Sequence, residues 1–370
     1  MDSSIRYPLK QLRKFEYHVF YGMGVPAKDA EICTDILHAA DRCGIDSHGI
    51  GRLKPIYYDR VMNAEIQEAV TRFEIVRDTA AVAIVDGHNG MGMVIAKKCM
   101  DMAIQKAKKY GIGFVAAKNS THYGIAGYYP MMACEHDMIG MTGTNARPSV
   151  APTFGVQNML GTNPLVFAMP SDEDFAFVND HATSMCQRGK IEQYAREGKE
   201  LVHGWVIDKN GEPVLDARIA LKALISGEAA LTPLGGITEE TGGHKGYGFS
   251  TVVEILSTAI QQGQFLNQLS GVDDQGNRVP IRLGHFFMAI NIKALTNVDA
   301  VKKTTGDILR ALRSSQKARG AERIYTHGEK EYLHSLERET TGVPLPPVVQ
   351  KQMVMMRNEL GLDSFTFEWE

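Results

Sequence analysis

The side chains best equipped for chemistry in this sequence cluster in short glycine-bearing segments. The first is Asp46-Ser47-His48-Gly49-Ile50-Gly51-Arg52. A histidine beside a small hydroxyl residue and a glycine can be exposed and held in one orientation, and near neutral pH it can give or take a proton. Arg52, four residues on, can grip a carboxylate with a two-pronged fork. One group to protonate an alkoxide and one to anchor a carboxylate are what reduction of a 2-oxo acid requires. The second segment, Asn119-Ser120-Thr121-His122-Tyr123-Gly124, follows a predicted strand. Ligand sites in α/β folds favour such strand ends. His122 is therefore a second candidate acid/base, or a polar contact to substrate.

A third segment, Thr144 to Pro170, is dense in Asn, Thr, Gly and Pro and contains Arg147, a second candidate anchor for an acid. Its amides and exposed N–H groups suit phosphate or carboxamide binding. Asp180 closes a further strand and is a carboxylate able to orient a histidine. Gly242 to Gly248 opens a helix whose backbone can approach a ligand. No metal is expected, because no HExxH or comparable spacing occurs. The glycine-rich turn Asp86-Gly87-His88-Asn89-Gly90-Met91-Gly92 sits between a strand and a helix, as a dinucleotide loop would. Its spacing is GxxGxG, however, and Gln105 to Tyr110 offers no acid for a ribose hydroxyl. It reads as turn chemistry, not as a Rossmann fingerprint.

Positioning these groups requires a scaffold. Residues 8 to about 75 read mostly as helix, with Leu9, Leu12, Phe15 and Val19 and then Ile32, Ile36, Leu37 and Ala40 at helical spacing. Pro26 can open the second helix and Gly44 close it. Strands are predicted at 73–77, 80–85, 113–117, 138–144, 165–169 and 175–178, with a helix at 92–109 between them. Helices follow at 190–201, 246–263 and 305–317, the last started by Asp307, and charged helical segments run to about 359. This alternation argues for an α/β fold. A chain of 370 residues suggests two domains. The net charge of −3 gives no pull toward nucleic acid. No apolar run reaches the ~18 residues of a membrane span. The mixed N-terminus does not read as a signal peptide, and five scattered cysteines without a CxxC pair fit a reducing compartment, so the expected location is cytoplasmic.

In order, DSHGIGR, DGHNGMG, NSTHYGIAGYY, TNARPSVAP, LGTNPLVFAMPS, GGITEETGGHKGYG and HGEKE resemble the motifs of the malate/L-lactate dehydrogenase family that lacks the Rossmann fold. Sulfolactate, ureidoglycolate, diketogulonate and cyclic-imine enzymes are relatives. The resemblance spans roughly residues 5 to 350. It implies a non-Rossmann, mixed-sheet α/β cofactor domain over 76–299, and a largely helical domain built from both chain ends, 1–75 with 300–370. It also implies NAD or NADP as cofactor and a homodimer with sites near the subunit interface. The implied reaction moves a hydride between NAD(P)H and a small 2-oxo acid, such as oxaloacetate or a lactate-type acid. A cyclic imine, sulfopyruvate or diketogulonate is the alternative. Carried over residue by residue, His48 is the proton donor/acceptor, flanked by Ser47 and oriented by Asp180, while His122 holds the acid/base role in the ureidoglycolate branch. Arg52 and Arg147 match substrate contacts. His122, Asn145, Thr162, Asn163, Asp180, His181, Ala182, Leu231, Pro233, Leu234, Gly235, Lys245, His327, Gly328 and Glu329 match cofactor-contacting positions. The chain departs from the family at His181, at His244 and at His327, where relatives carry an apolar residue, a Tyr and a Pro.

Overall fold

The computed structural model describes residues 5–63 and 66–370; residues 64 and 65 of the expected helical stretch, and 1–4 of the N-terminus, lie outside the described residues. The chain opens with β1 (Ile5–Tyr7), α1 (Leu9–Gly22) and α2 (Ala27–Arg42). Leu12, Phe15 and Val19 of α1 and Ile36 and Leu37 of α2 are fully buried, which is why the two helices pack face to face. A short turn, Ile50–Arg52, leads into a wide π-type helix, Leu53–Asn63. Pro55 lies in its first turn, where a missing N–H costs nothing.

β2 (Glu74–Asp78) and β3 (Val82–Asp86) form a hairpin, and α3 (Gly92–Tyr110) then returns the chain to β4 (Ile112–Ser120), parallel to β3. After α4 (Tyr128–Cys134) come β5 (Met138–Thr144), β6 (Leu165–Met169) and β7 (Phe177–His181). A smaller unit follows: α5 (Arg188–Glu197), β8 (Val206–Asp208), α6 (Ala217–Ser226) and β9 (Ala229–Leu231) enclose their own core of Ile191, Leu201, Val206 and Ala220. Next are α7 (Gly243–Thr258), β10 (Leu283–Asn291), α8 (Val298–Ser314), α9 (Glu329–Thr341), β11 (Val343–Leu345) and α10 (Pro347–Glu359).

The main sheet has seven strands in the order β2-β3-β4-β10-β5-β6-β7. Only the β3–β4 pair is parallel, so the sheet is mixed, as expected. One face, with Val85, Val115, Phe287 and Ala289, packs on α3 and joins the core of α1, α2 and α10. The other, with Leu165 and Phe286, packs on Val253 of α7. The two ends of the chain meet where β1 pairs antiparallel with β11.

Three expectations need correction. No element was read between 263 and 305, yet β10 is the central strand. Its run Phe286-Phe287-Met288-Ala289-Ile290 is covered on both faces, so it carries no alternation to betray it. α8 begins at Val298, capped by the Asn297 side chain on Ala300 N–H at 2.8 Å, and Asp307 lies inside it, paired with Lys303 and Arg310. α7 covers 243–258 rather than 246–263, because Gly242 in a left-handed conformation starts it earlier.

Candidate active site

The loop bearing His48 leaves α2 and doubles back over a buried carboxyl. Asp41, near the end of α2, accepts the Ile50 N–H at 2.8 Å. A Cβ on Gly49 would overlap Asp41 Oδ1, so only glycine lets the loop lie this close. From outside, Arg338 of α9 forks onto Asp46 at 2.6 and 3.0 Å and also donates to the Asp41 carbonyl. Thus pinned, the loop sets Ser47 Oγ 2.8 Å from His48 Nδ1, and Arg52 Nε donates to the Ser47 carbonyl at 2.6 Å. Beneath it, Asp41 and Glu16 of α1 are both buried; desolvation pushes both carboxyls up, Glu16 to about 8, and the nearby Glu16 charge raises Asp41 further.

The second histidine arrives from the end of β4. The turn Asp86–Gly92 braces it: Thr121 Oγ1 receives the Gly92 N–H at 2.9 Å and donates to the Gly90 carbonyl at 2.8 Å. At Gly92 a Cβ would overlap the Thr121 carbonyl. The glycine-rich turn is therefore filled by the chain itself, and its work is to hold the His122 loop. The His122 ring lies nearly parallel to that of His48, centroids 5.6 Å apart and planes at 20°. Two donors converge on His122 Nδ1: the Tyr57 hydroxyl at 2.7 Å and, more weakly, the Gly124 N–H at 3.3 Å. Burial holds the Tyr57 phenol well up, so it stays protonated. Both imidazoles are partly accessible yet walled closely by protein, as at the floor of a cleft. That desolvation, with the Arg52 charge, lowers His48 to about 4. Desolvation, His48, Arg60 and Arg52 hold His122 well below its ordinary value.

The sequence names His48, His122, Arg52 and Arg147 as candidates; the structure adds Tyr57 and Arg60, which the sequence did not single out. Tyr57 was hidden in what read as ordinary helix; the one available signal was a Tyr and an Arg three residues apart, just after the Arg52 loop. The half-buried Arg60 and the exposed Arg147, on the loop after β5, are close enough for their charges to act on one another. Among the described residues none of Arg52, Arg60 and Arg147 pairs with a carboxylate. The hydrogen bond that holds the His48 ring comes from Ser47. Asp180, expected in that role, accepts the Gly127 N–H at 2.7 Å, and desolvation raises it to about 6. Two stacked histidines within reach of the Arg52 and Arg60 charges, neither paired with a carboxylate among the described residues, can bind an anion and exchange a proton with it. Among the described residues no cluster of three or more His, Cys, Asp or Glu side chains could hold a metal.

The sequence profile described as malate/L-lactate dehydrogenase matches residues 7–354. The chain belongs to the malate/L-lactate dehydrogenase family. It is 39% identical to a malate dehydrogenase of Pyrococcus abyssi, over 98% of this chain and 96% of that one. It is 35% identical to an L-sulfolactate dehydrogenase of Methanocaldococcus jannaschii, over 95% and 96%. The crystal structure of malate dehydrogenase from Entamoeba histolytica superposes with a TM-score of 0.94 at 40% identity, covering 99% of this chain and all of that one. This is an oxidoreductase of the hydroxy-acid type, and its family implies a nicotinamide cofactor.

The positions expected to contact that cofactor fall into two groups in this dehydrogenase. Asn145 and Asn163 are fully buried, with their amides spent on the Gln264 and Ser250 carbonyls, Gly284 N–H and the Glu254 carboxylate. They brace the seam between α7 and the sheet. The Thr162 carbonyl receives Thr183 N–H, the Ala182 carbonyl meets His181 Nδ1 at 2.9 Å, and Leu231 is buried in β9. Glu329 is tied to Thr326 and Arg323, and Gly328 fits against the Ala176 carbonyl of the segment entering β7, beside His327. Others face open space. Leu234 is exposed beside Pro233 and Gly235, and His244 and Lys245 stand exposed in the first turn of α7, whose N-terminus has no side-chain cap. Two of its first N–H groups are used within the chain, Gly243 on the Thr238 carbonyl at 2.8 Å and Lys245 on the Gly242 carbonyl at 2.9 Å, but the lysine and the dipole at the start of a long helix suit a diphosphate.

Proposed function

We propose that this protein is an NAD- or NADP-dependent malate dehydrogenase that interconverts oxaloacetate and malate. The observation that carries the reading is the stacking of His48 on His122 within reach of arginines that have no acidic partner among the described residues. The relatives at 38–39% identity over nearly the whole chain, named malate dehydrogenases, support the choice of substrate. The cofactor, when bound, supplies or accepts a hydride at the substrate's C2. The residues fit it: the start of α7, with the exposed His244 and Lys245 and no side-chain cap, would hold its diphosphate.

The chain's own work is positioning and proton transfer. Arg52, its Nε fixed on Ser47, presents its remaining donors to the C2 carboxylate. His122 has two donors on Nδ1, so its hydrogen sits on Nε2, where it can hydrogen-bond the substrate oxygen. An imidazolium there would set its Nδ1–H against the Gly124 N–H. His48 has no such conflict, because the Ser47 hydroxyl can accept as well as donate. Neutral His48 takes the hydroxyl proton during oxidation; protonated His48 returns it to the alkoxide during reduction. We therefore assign the proton to His48 and the polarising hydrogen bond to His122. His48→Asn should cut turnover by about 10²–10⁴-fold while leaving cofactor binding nearly intact. His122→Asn, which retains a donor, should lose less. Oxaloacetate reduction near the wild-type rate in the His48 variant, assayed with NADH and with NADPH, sinks the assignment.

A homodimer and a cytoplasmic setting belong to the same proposal. Five free cysteines suit a reducing compartment. The outer face of α7 carries Tyr247, Phe249, Val252 and Ile255, apolar side chains exposed on the helix that begins at Lys245.

A further inference from the structure

We propose that Arg60 binds the distal acid group of a dianionic substrate and so sets this enzyme's preference for dicarboxylates over monocarboxylates. The inference rests on the 2-oxo acid reading above and assigns a residue that reading does not use. Tyr57 and Arg60 are three residues apart on the same π-type helix, and the Tyr57 hydroxyl reaches 2.7 Å to His122 Nδ1. Helical segments with this wider pitch recur at functional sites. The segment turns its tyrosine into the cleft, and the Arg60 charge reaches both that tyrosine and the His122 ring. Arg52 comes from a different segment: its Nε is bound to the Ser47 carbonyl of the His48 loop, and its charge acts on His48 and, like that of Arg60, on Tyr57 and His122. The paired histidines thus lie within reach of two guanidiniums, one carried by the His48 loop and the other by the helix that bears Tyr57.

A monocarboxylate substrate needs one of these. A four-carbon 2-oxo diacid carries an acid group on each side of its reacting carbonyl and matches both. The electrostatics favour an incoming anion. Arg60 is half-buried, has no carboxylate partner among the described residues, and faces the like charge of Arg147. A crowded, uncompensated guanidinium beside another is costly unless an anion arrives to sit between them. Arg147, exposed on its loop, is free to close on the same group.

The test compares Arg60→Gln and Arg60→Lys with wild type on oxaloacetate and on pyruvate. Arg60→Gln should lose about 30-fold or more in kcat/KM for oxaloacetate, the loss expected when one partner of a desolvated charge pair is removed. For pyruvate it should stay within about threefold. Arg60→Lys should recover part of the loss, since it keeps the charge without the fork. The melting temperature of Arg60→Gln should not fall, because the lost charge has no carboxylate partner among the described residues. An equal loss on both acids, no loss on either, or a variant that unfolds overturns the proposal and makes Arg60 a support for Tyr57. If the wild type reduces neither acid, the functional reading fails, and this inference is read separately by calorimetry with unreactive acids, NADH or NADPH being present. Succinate should then bind wild type more tightly than butyrate, and Arg60→Gln should erase the difference. A difference that persists in the variant, or is absent from wild type, is equally fatal.

Discussion

At the scale of single residues, the site is built around imidazoles that the protein keeps neutral. His48 is lowered to about 4 by its crowded surroundings and by Arg52. A free histidine near 6.5 is partly charged at pH 6, whereas His48 in the empty cleft is not. Its depressed value means that its contribution to stability is present above about pH 6.5 and is lost as pH falls toward 4. An anion on Arg52 neutralises part of the field that depresses it, so binding a dicarboxylate should raise its pKa and draw in a proton. Calorimetry between pH 5 and 6, in buffers of differing ionisation enthalpy, should detect uptake of a fraction of a proton that disappears in His48→Asn. Unchanged uptake in that variant would move the coupling to another group. The sequence made Ser47, His48, Arg52 and His122 visible because each lies beside glycines that have no other purpose in a helix. Tyr57 was invisible because its role depends on a ring 65 positions away. Asp180 was legible as a carboxylate at a strand end, but its hydrogen bond to Gly127 could not be read from spacing.

At the scale of elements, the loop proposed to carry the proton donor rests on buried carboxyls. Asp41 receives the Ile50 N–H and Gly49 lies against it, while Glu16 sits behind, 3.1 Å from His38 Nδ1. Asp41→Asn keeps an oxygen for Ile50 and should leave both stability and kcat within a few-fold. Asp41→Ala leaves a buried N–H unpaired, worth about 1–3 kcal/mol, and releases the loop, so kcat should fall more than KM rises. Equal behaviour of the two variants in a thermal melt and a rate assay would remove Asp41 from this role. Glu16 adds a pH signature. Its folded-state pKa, about 8, lies above its ordinary value of 4.5, so its contribution is full below pH 4.5 and is lost as pH rises through 8. Wild-type stability should decline across that window, and Glu16→Gln should flatten the decline; parallel curves would place the pH dependence on another group. Amphipathic elements such as α1, α2 and α3 were legible because one stripe of each is apolar. β10 was not, because a strand covered on both faces has no period, and its His285 reads as polar until Thr144 and Ser120 are seen to bond both ring nitrogens at 2.7 Å.

At the scale of the whole molecule, α7 poses a problem that a single chain does not solve. Its inner face packs Val253 on Phe286 and Leu165 of the sheet, and buries Ser250, Glu254 and Ser257 in a polar seam. Its outer face carries Tyr247, Phe249, Val252 and Ile255, which are 36–53% exposed. A helix that is apolar on all sides is normally enclosed, and a contiguous apolar patch on a surface usually marks a contact. Ile260 and Phe265 continue the patch past the end of the helix. A second copy of the chain would cover it, with roughly 800 Å² per partner as the size of a stable interface. The N-terminus of the same helix holds His244 and Lys245, so a contact along its length would fix the turn proposed to hold the cofactor. Ile255→Glu therefore separates assembly from chemistry, because the residue lies on the face of α7 turned away from the sheet and from both histidines. Sedimentation should show wild type as a dimer and the variant as a folded monomer, and the monomer should lose affinity for the cofactor before it loses intrinsic turnover. A wild-type monomer with full activity, or a variant that remains dimeric, would mean that this face serves another purpose and that the cofactor turn is held by its own chain alone.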